Sequence, residues 1–333
     1  MPKPVHPGTS LCGPDHHLAA ISAIWREILG VPIIDPADDF FVLGGTPLHA
    51  AQMRARVRER MGLTAAVHIL TECPTLHGFA EAVRPPTYAP PPGTTSLVPL
   101  KPGVSGICPL FLVQPIAGTV FTYLPLTRLL AYCGVVYGVR AAEAGANEPI
   151  LDDVTSIAAR AIADMRHVQP QGPYLVGGHS TGAIVAFEVA HQLAATDAVV
   201  QLLIFDAPSM SRVHLAGDSI DDFLREHELF FTSPSETLRA FVSALAEDTQ
   251  LRAVVLASCR AVRRYHPPPL TAAVVYFAAD EQRDAHDPHS YLYWMSQIHG
   301  PFTLHRVPGD RFSMMDEPWV TTLARLLAFE IAR

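Results

Sequence analysis

The sequence predicts an α/β protein with a doubly wound parallel sheet, preceded by a small all-helical unit. The first observation is that six apolar, strand-like runs alternate with helical stretches after residue 106, as in chains built from βαβ units. These runs are LFLVQP (110–115), VVYGV (135–139), PYLVGG (173–178), VVQLLIFD (199–206), AAVVYFAA (272–279) and FTLHRVPG (302–309). The second is a Pro-rich segment at 85–105, whose composition is typical of a semi-rigid, extended linker. We therefore expect domains at 1–84 and 106–333.

The segment before the linker has the periodicity of helices. The stretch HHLAAISAIWREILG (16–30) places its apolar residues on one face and ends in a glycine. Further helices are expected at 48–61 and 75–83. The first of these carries four arginines that should face mostly outward, namely Arg54, Arg56, Arg58 and Arg60. In the second domain, a long and mostly helical insertion at about 208–268 is expected to cover the C-terminal edge of the sheet as a lid.

Composition and charge exclude several classes of function. The net charge of −8 argues against binding to nucleic acid. No apolar run approaches the roughly 18 residues that a membrane helix needs. The five cysteines are scattered, which fits free thiols in a reducing cytoplasm. His286 and His289 in DAHDPHSY have a ligand-like spacing, but an exposed loop explains it as well, so we expect no metal. The expected protein is cytoplasmic and binds neither nucleic acid nor membranes.

The clearest chemical motif is the pentapeptide around Ser180. Gly178-His179-Ser180-Thr181-Gly182 matches G-x-S-x-G and lies between a predicted strand and an amphipathic helix. In that context the serine is held exposed on a tight, strained turn, and Gly178 and Gly182 are required because a Cβ would clash there. The motif predicts a nucleophilic serine.

A serine nucleophile needs an acid, a base and donors for the developing oxyanion. Asp206 follows the next strand and is the predicted acid, with Asp280 after the following strand in reserve. The oxyanion donors are expected to be backbone N–H groups, one of Thr181 and the other of Ile116 or Ala117.

The predicted base is missing from its expected place. The last strand leads into VPGDRFSMMDEP (307–318), the loop in which a histidine is expected, and Arg311 stands there. Arginine stays protonated at any working pH, so it cannot take the proton of the serine.

Taken together, these blocks resemble the terminal carrier-protein–thioesterase didomain of nonribosomal peptide and polyketide synthetases. DDFFVLGGTPL (38–48) is similar to the carrier signature, and five later stretches resemble successive blocks of a type I thioesterase. They are LVPLKPG with PLFLVQPIAGTVFTYLPL, GPYLVGGHSTGAIVAFEVA, LLIFDAP, VRRYHPPP and VPGDRFSMMDEP. The resemblance implies an α/β-hydrolase fold with a mobile helical lid, and release of an acyl or peptidyl chain through an acyl-serine. It assigns Ser180 as the nucleophile and Asp206 as the acid.

Two positions depart from the family pattern. The carrier serine that would hold 4′-phosphopantetheine is replaced by Pro47, which has no hydroxyl, while Thr46 is expected to cap the helix that Pro47 begins. The thioesterase histidine is replaced by Arg311. We therefore expect no covalently bound cofactor, and a substrate presented on the phosphopantetheine of another carrier. The expected partners are an upstream carrier protein or synthetase module and an acyl or peptidyl thioester.

Other histidines are alternative bases, although each is more simply explained as a surface or core residue. They are His179, His214, His227, His266, His286, His289, His299 and His305. If none acts, removal of the base costs several orders of magnitude in rate. The sequence thus favours an acyl-serine enzyme that transfers or condenses the chain rather than simply hydrolysing it. The alternatives are a catalytically degenerate module with a structural or docking role, and a stand-alone esterase with an unrelated cap.

Overall fold

The computed structural model describes residues 14–61, 69–83, 96–104, 106–116, 120–140, 150–196, 200–213, 245, 249–281, 287 and 289–332. The chain divides into two compact units, Met1–Pro91 and Pro92–Arg333. This division falls inside the segment predicted to be a linker.

The first unit is helical, as its periodicity predicts. Its helices are α1 (Pro14–Leu29), α2 (Pro47–Met61), α3 (Ile69–Glu72) and α4 (Leu76–Ala82). Trp25 lies at the centre, with its ring centroid 4.8 Å from that of Phe40 and 6.1 Å from that of Phe79. These three fully buried aromatic rings join α1, the following loop and α4 into one small core.

The expectation that the arginines of α2 face outward is wrong for Arg54, which is only 9% exposed. Arg56 and Arg60 are exposed and reach Glu27 of α1, at 3.7 and 2.7 Å. Residues two apart on a helix point about 200° apart, so alternating arginines cannot share one face. Arg54 therefore lies on the flank of the buried stripe, beside Val57.

The second unit is built on a seven-stranded sheet in the order β1-β3-β2-β4-β5-β6-β7. The strands are β1 (Leu97–Lys101), β2 (Leu110–Val113), β3 (Val136–Val139), β4 (Tyr174–His179), β5 (Val200–Phe205), β6 (Ala273–Ala279) and β7 (Phe302–Val307). All neighbours pair in parallel except β1 and β3, which are antiparallel. The six predicted strands are confirmed to within two residues at each end.

The prediction of a linker over 85–105 is wrong at 97–101, where the chain forms strand β1. Leu97 pairs with Val139 of β3, and both Leu97 and Val98 are buried. The Pro and Gly content of the surrounding segment masked this strand. A proline is tolerated at Pro99 because β1 lies at the edge of the sheet, where a missing N–H breaks no inner ladder.

Helices cover both faces of the sheet, which confirms the doubly wound arrangement. One face packs against α6 (Val154–Val168), α7 (Thr181–Ala194), α8 (Met210–Val213), α9 (Thr249–Arg264) and α10 (Ser290–Gln297). The other packs against α5 (Leu124–Leu129) and α11 (Val320–Ile331). Of the predicted lid at 208–268, α8 and α9 are described, while 214–244 and 246–248 lie outside the described residues. Among the helices that can be described, none is long and apolar enough to cross a membrane.

Candidate active site

Ser180 stands on a sharp turn between β4 and α7. Its backbone has φ 54° and ψ −124°, a conformation that costs energy for any residue with a side chain. A Cβ on Gly178 would lie 2.4 Å from the carbonyl of Gly182. A Cβ on Gly182 would lie 2.5 Å from the backbone oxygen of Gln114 and 2.6 Å from that of Val113. Both glycine positions therefore exclude a side chain, as the motif predicts, and the turn keeps the geometry of a nucleophile elbow.

The predicted oxyanion donors are only partly described. Thr181 is the first residue of α7, where backbone N–H groups have no partner within the helix. Ile116 lies in the loop after β2, and Ala117 lies outside the described residues. The choice between Ile116 and Ala117 as second donor stays a prediction.

Asp206 lies at the end of β5, the strand beside β4. It is 1% exposed, its φ is 43°, and its Oδ1 accepts a hydrogen bond from the backbone N of Ala279 at 3.0 Å. The reserve acid, Asp280, is exposed, and its backbone N–H donates to Val307. The arrangement therefore brings Asp206, and not Asp280, into the interior beside the elbow strand.

Each of the three residues after Asp206 forms a hydrogen bond with a neighbouring element. The hydroxyl of Tyr276 donates to the carbonyl of Ala207 at 2.9 Å, and the indole N–H of Trp294 donates to the carbonyl of Pro208 at 3.0 Å. The backbone N–H of Ser209 donates to Oδ2 of Asp287 at 2.8 Å. We name residues 206–209 the acid loop; β6, α10 and the loop before α10 fix its position.

Arg311 fills the space beside the acid. Its Nε donates to Oδ2 of Asp206 at 2.9 Å and to the backbone oxygen of Asp206 at 3.1 Å. Its Nη2 lies 3.8 Å from Oδ2 of Asp287, and the side chain is 13% exposed. Burial lowers the pKa of Arg311, but the charge of Asp206, followed by Tyr276 and Asp287, outweighs it, so the pKa lies above its ordinary value. The guanidinium is therefore a fixed cation and cannot serve as a base.

His179 joins the elbow to the loop that carries Arg311. It is 4% exposed, and its Nε2 lies 2.6 Å from the backbone oxygen of Arg311, so Nε2 carries the hydrogen. Its backbone N–H donates to the hydroxyl of Tyr123, which in turn donates to the carbonyl of Val113 at 2.5 Å. Burial lowers the pKa of His179 to about 4. This histidine is therefore neutral near pH 7, and its Nε2 is already engaged with the loop.

The other described candidates for the base either have partners of their own or are exposed. Nε2 of His305 lies 2.7 Å from Oε1 of Glu330, and its ring stacks on Phe277. His289 is the N-cap residue of α10 with its ring against Tyr291, while His266 and His299 are exposed. His214, His227 and His286 lie outside the described residues. Within the ranges given above, no hydrogen bond joins a histidine ring to the hydroxyl of Ser180.

Sequence reasoning missed Asp287, Tyr276 and Trp294, which hold the acid loop. Asp287 stands in DAHDPHSY, a segment whose two histidines have the spacing of metal ligands. Among the residues that can be described, no group of three His, Cys, Asp or Glu side chains could hold a metal ion. The sequence does contain one signal for Asp287: it is an acidic residue in the loop that follows β6, at the same edge of the sheet as Asp206.

The start of α2 has a local hydrogen-bond pattern of its own. Oγ1 of Thr46 accepts from the backbone N of His49, and Nδ1 of His49 accepts from the backbone N of Thr46, both at 3.3 Å. Pro47 is the first residue of the helix. The interpretation of Thr46 as N-cap is confirmed, with His49 in the place that Glu or Gln takes in a capping box.

Two family models match this chain. The thioesterase domain family matches residues 108–329, well over half of the chain, and the phosphopantetheine attachment site family matches residues 19–83. The chain is 29% identical to chondramide synthase cmdD of Chondromyces crocatus, over 93% of this chain and 9% of that protein. It spans 9%, 3% and 12% of the lengths of three curated relatives that it matches.

Solved structures share the fold. A holo four-domain nonribosomal peptide synthetase, bound to AMP and glycine, has a TM-score of 0.63 at 23% identity, over 99% of this chain and 27% of that chain. The type II thioesterase BorB of the borrelidin cluster has a TM-score of 0.57 at 21% identity, over 71% of this chain and 97% of that chain. These findings confirm a thioesterase-family domain of α/β-hydrolase fold preceded by a helical carrier-like region.

Proposed function

Because this chain belongs to the thioesterase domain family, we propose that Ser180 accepts an acyl or peptidyl chain from a thioester and passes it to an acceptor. The setting would be the assembly of nonribosomal peptides or polyketides. The observation that supports this most directly is the strained elbow, in which Ser180 keeps φ 54° between two glycine positions closed to any side chain. Strain of this kind persists where the surrounding structure enforces it, and it clusters at active sites.

The first half of the reaction can proceed without a histidine base, although more slowly. The Oγ of Ser180 attacks the thioester carbonyl, the C–O bond forms, and the C–S bond then breaks. The departing thiolate can take the proton of the serine, since thiols have pKa values near 8.5. The backbone N–H of Thr181 and one N–H of the loop after β2 would stabilise the tetrahedral oxyanion, which is often the largest electrostatic contribution to such catalysis.

The second half of the reaction decides the product. Water is a weak nucleophile and depends on a general base, and Arg311 cannot act as one. An amine in its neutral form brings a reactive lone pair of its own, and a β-keto compound brings a nucleophilic carbon in its enol form. We therefore expect transfer to such an acceptor to be faster than hydrolysis.

The helical unit would not carry the chain itself. Phosphopantetheine is attached through a hydroxyl, and the corresponding residue is Pro47. The neighbouring hydroxyl, that of Thr46, accepts the capping hydrogen bond of α2. The residues present thus do not fit covalent attachment of the group. The substrate would arrive on the phosphopantetheine of another carrier, in an upstream synthetase module.

The first test is intact-protein mass spectrometry after incubation with a short acyl-N-acetylcysteamine thioester. We expect one acyl adduct on the wild-type chain and none on Ser180→Ala. Addition of an amine should then discharge the adduct faster than buffer alone. Free acid as the sole product, with no effect of any acceptor, would contradict preferential transfer.

A second candidate function is a non-catalytic module with a docking or structural role. The ion pair between Arg311 and Asp206, at 2.9 Å, favours it because the acid is occupied by a residue that cannot relay a proton. Pro47 favours it as well. Rapid, stoichiometric labelling of Ser180 by a fluorophosphonate would exclude this role, whereas a folded chain that resists both the probe and the thioester would establish it over the first.

A further inference from the structure

We propose that Asp287 is a positioning residue of this site, a second carboxylate that holds Arg311 and adapts the site to a cation at position 311. Only the expected effect on hydrolysis rests on the proposed function. The pairing of Asp287 with Arg311 is argued from distances, burial and charge alone.

Asp287 is built into the site from two sides. It is 6% exposed, and one oxygen, Oδ2, both accepts the backbone N–H of Ser209 at 2.8 Å and lies 3.8 Å from Nη2 of Arg311. Asp206 binds the same guanidinium through Nε, the nitrogen neighbouring Nη2 on one edge of the group. Arg311 is therefore paired with two carboxylates that belong to different loops, one after β5 and the other before α10.

The charges around position 311 are matched to arginine rather than to histidine. A buried carboxylate is costly unless a cation or hydrogen bonds compensate it, and here two carboxylates share one guanidinium. Among the residues that the structure describes, the other groups that act on Arg311 bring no second cation: the hydroxyl of Tyr276 is engaged with the acid loop, and His179 is neutral near pH 7. Asp310, next in sequence, accepts the backbone N–H groups of Phe312 and Ser313.

A histidine introduced at this position would consequently meet two negative charges. Nearby carboxylates favour the protonated imidazole, which cannot accept the proton of Ser180. Arg311→His alone should therefore restore hydrolysis only at high pH. Removal of the Asp287 charge should lower the pH at which that activity develops.

The kinetic experiment compares full-length Arg311→His with Arg311→His/Asp287→Asn, by hydrolysis of an acyl-N-acetylcysteamine thioester from pH 5.5 to 9.5. Asparagine keeps an oxygen for the N–H of Ser209 and removes the negative charge. We expect the midpoint of the rise in kcat/KM to be about one pH unit lower in the double variant, with roughly tenfold faster hydrolysis at pH 6.5. Asp280→Asn, an exposed neighbour at the same sheet edge, is the matched control and should leave the midpoint unchanged. Coincident profiles with and without Asp287→Asn would overturn the proposal.

A measurement of stability tests the pairing even if no variant is active. In the wild-type chain, Asp287→Asn should lower the thermal midpoint by about 3 °C because Arg311 loses a partner. In an Arg311→Gln background the same substitution should lower the midpoint by less, because the pairing with Arg311 is already lost. An equal loss in both backgrounds would show that Asp287 only anchors Ser209, and would overturn the pairing whatever the activity of Ser180.

Discussion

Pro47 and Arg311, the two positions that we propose to depart from the family patterns, are accommodated in different ways. At Pro47 the replacement is satisfied by its immediate neighbours: Thr46 caps the helix, His49 returns the hydrogen bond, and proline suits the first helical residue. At Arg311 it is satisfied by distant elements, through Asp206 at the end of β5 and Asp287 before α10. Pro47 is accommodated by local contacts, and Arg311 is accommodated by tertiary contacts.

The two positions also differ in how many other residues would have to change to restore an attachment hydroxyl at 47 or a base at 311. The replacement at position 47 can be reversed by a single substitution, because the surrounding structure requires only a residue that suits the start of a helix. A tertiary replacement is tied to buried charges in other loops, so reversal has to respect those charges as well. We therefore expect position 47 to be tolerant and position 311 to be demanding.

The largest expected effect is on stability at position 311. Arg311→Ala removes the cation between two buried carboxylates and should lower the free energy of unfolding by about 3 to 5 kcal/mol. Urea denaturation measures this. The matched control is Arg306→Ala, an exposed arginine that lies over the ring of Tyr291 and should cost about 1 kcal/mol or less. Equal losses for the two variants would remove the distinction between local and tertiary accommodation.

A second prediction concerns His179, which holds the backbone of Arg311. Its pKa is about 4 in the folded chain against an ordinary value of 6.5, so the unfolded chain binds a proton that the folded chain does not bind. The stability that this histidine contributes is therefore complete above pH 6.5 and is lost as the pH falls toward 4, by about 3 kcal/mol in all. Urea midpoints at pH 7.5, 5.5 and 4.5 should decline less steeply for His179→Gln than for the wild-type chain. Parallel declines would contradict a buried, neutral His179.

A smaller effect is expected at the helix cap of the first unit. Thr46→Ala removes the oxygen that accepts the N–H of His49 and should destabilise α2 by about 1 kcal/mol. Hydrogen exchange of peptides from 47–61 should speed up roughly fivefold, while those of α7 stay unchanged. Thr46→Ser keeps the hydroxyl and serves as control. Protection unchanged by Thr46→Ala would show that the cap contributes nothing.

The smallest structural effect and the clearest chemical gain are expected for Pro47→Ser. The helix start loses the preset φ of proline, which costs about 0.5 kcal/mol. Incubated with coenzyme A and a phosphopantetheinyl transferase, this variant should gain the mass of one phosphopantetheinyl group, and Pro47→Ala should gain none. Modification of the wild-type chain would mean that Thr46 accepts the group and would overturn the expectation of an unmodified carrier-like unit.

The sequence was informative wherever a feature is carried by residues adjacent in the chain. Apolar runs predicted six strands because a buried parallel strand is a continuous apolar segment. The glycines around Ser180 predicted a tight turn for the same local reason. Strand β1 was missed because its apolar residues stand in a Pro-rich segment and it forms only by pairing with β3.

For the site, residues 178–182 and the position of Asp206 could be read from motif and chain order, and so could the absence of a histidine at 311. What replaces that histidine could not. The guanidinium of Arg311 is held by Asp206, 105 residues earlier, and by Asp287, in a loop whose sequence suggested a different role. By itself the sequence identified the family through its motifs. It also determined the elbow and the helix cap at Thr46, since each of these depends on short-range sterics and hydrogen bonds. Only the tertiary structure decided that Arg311 is a paired, buried cation, because burial and charge compensation depend on which distant loops meet at one edge of the sheet.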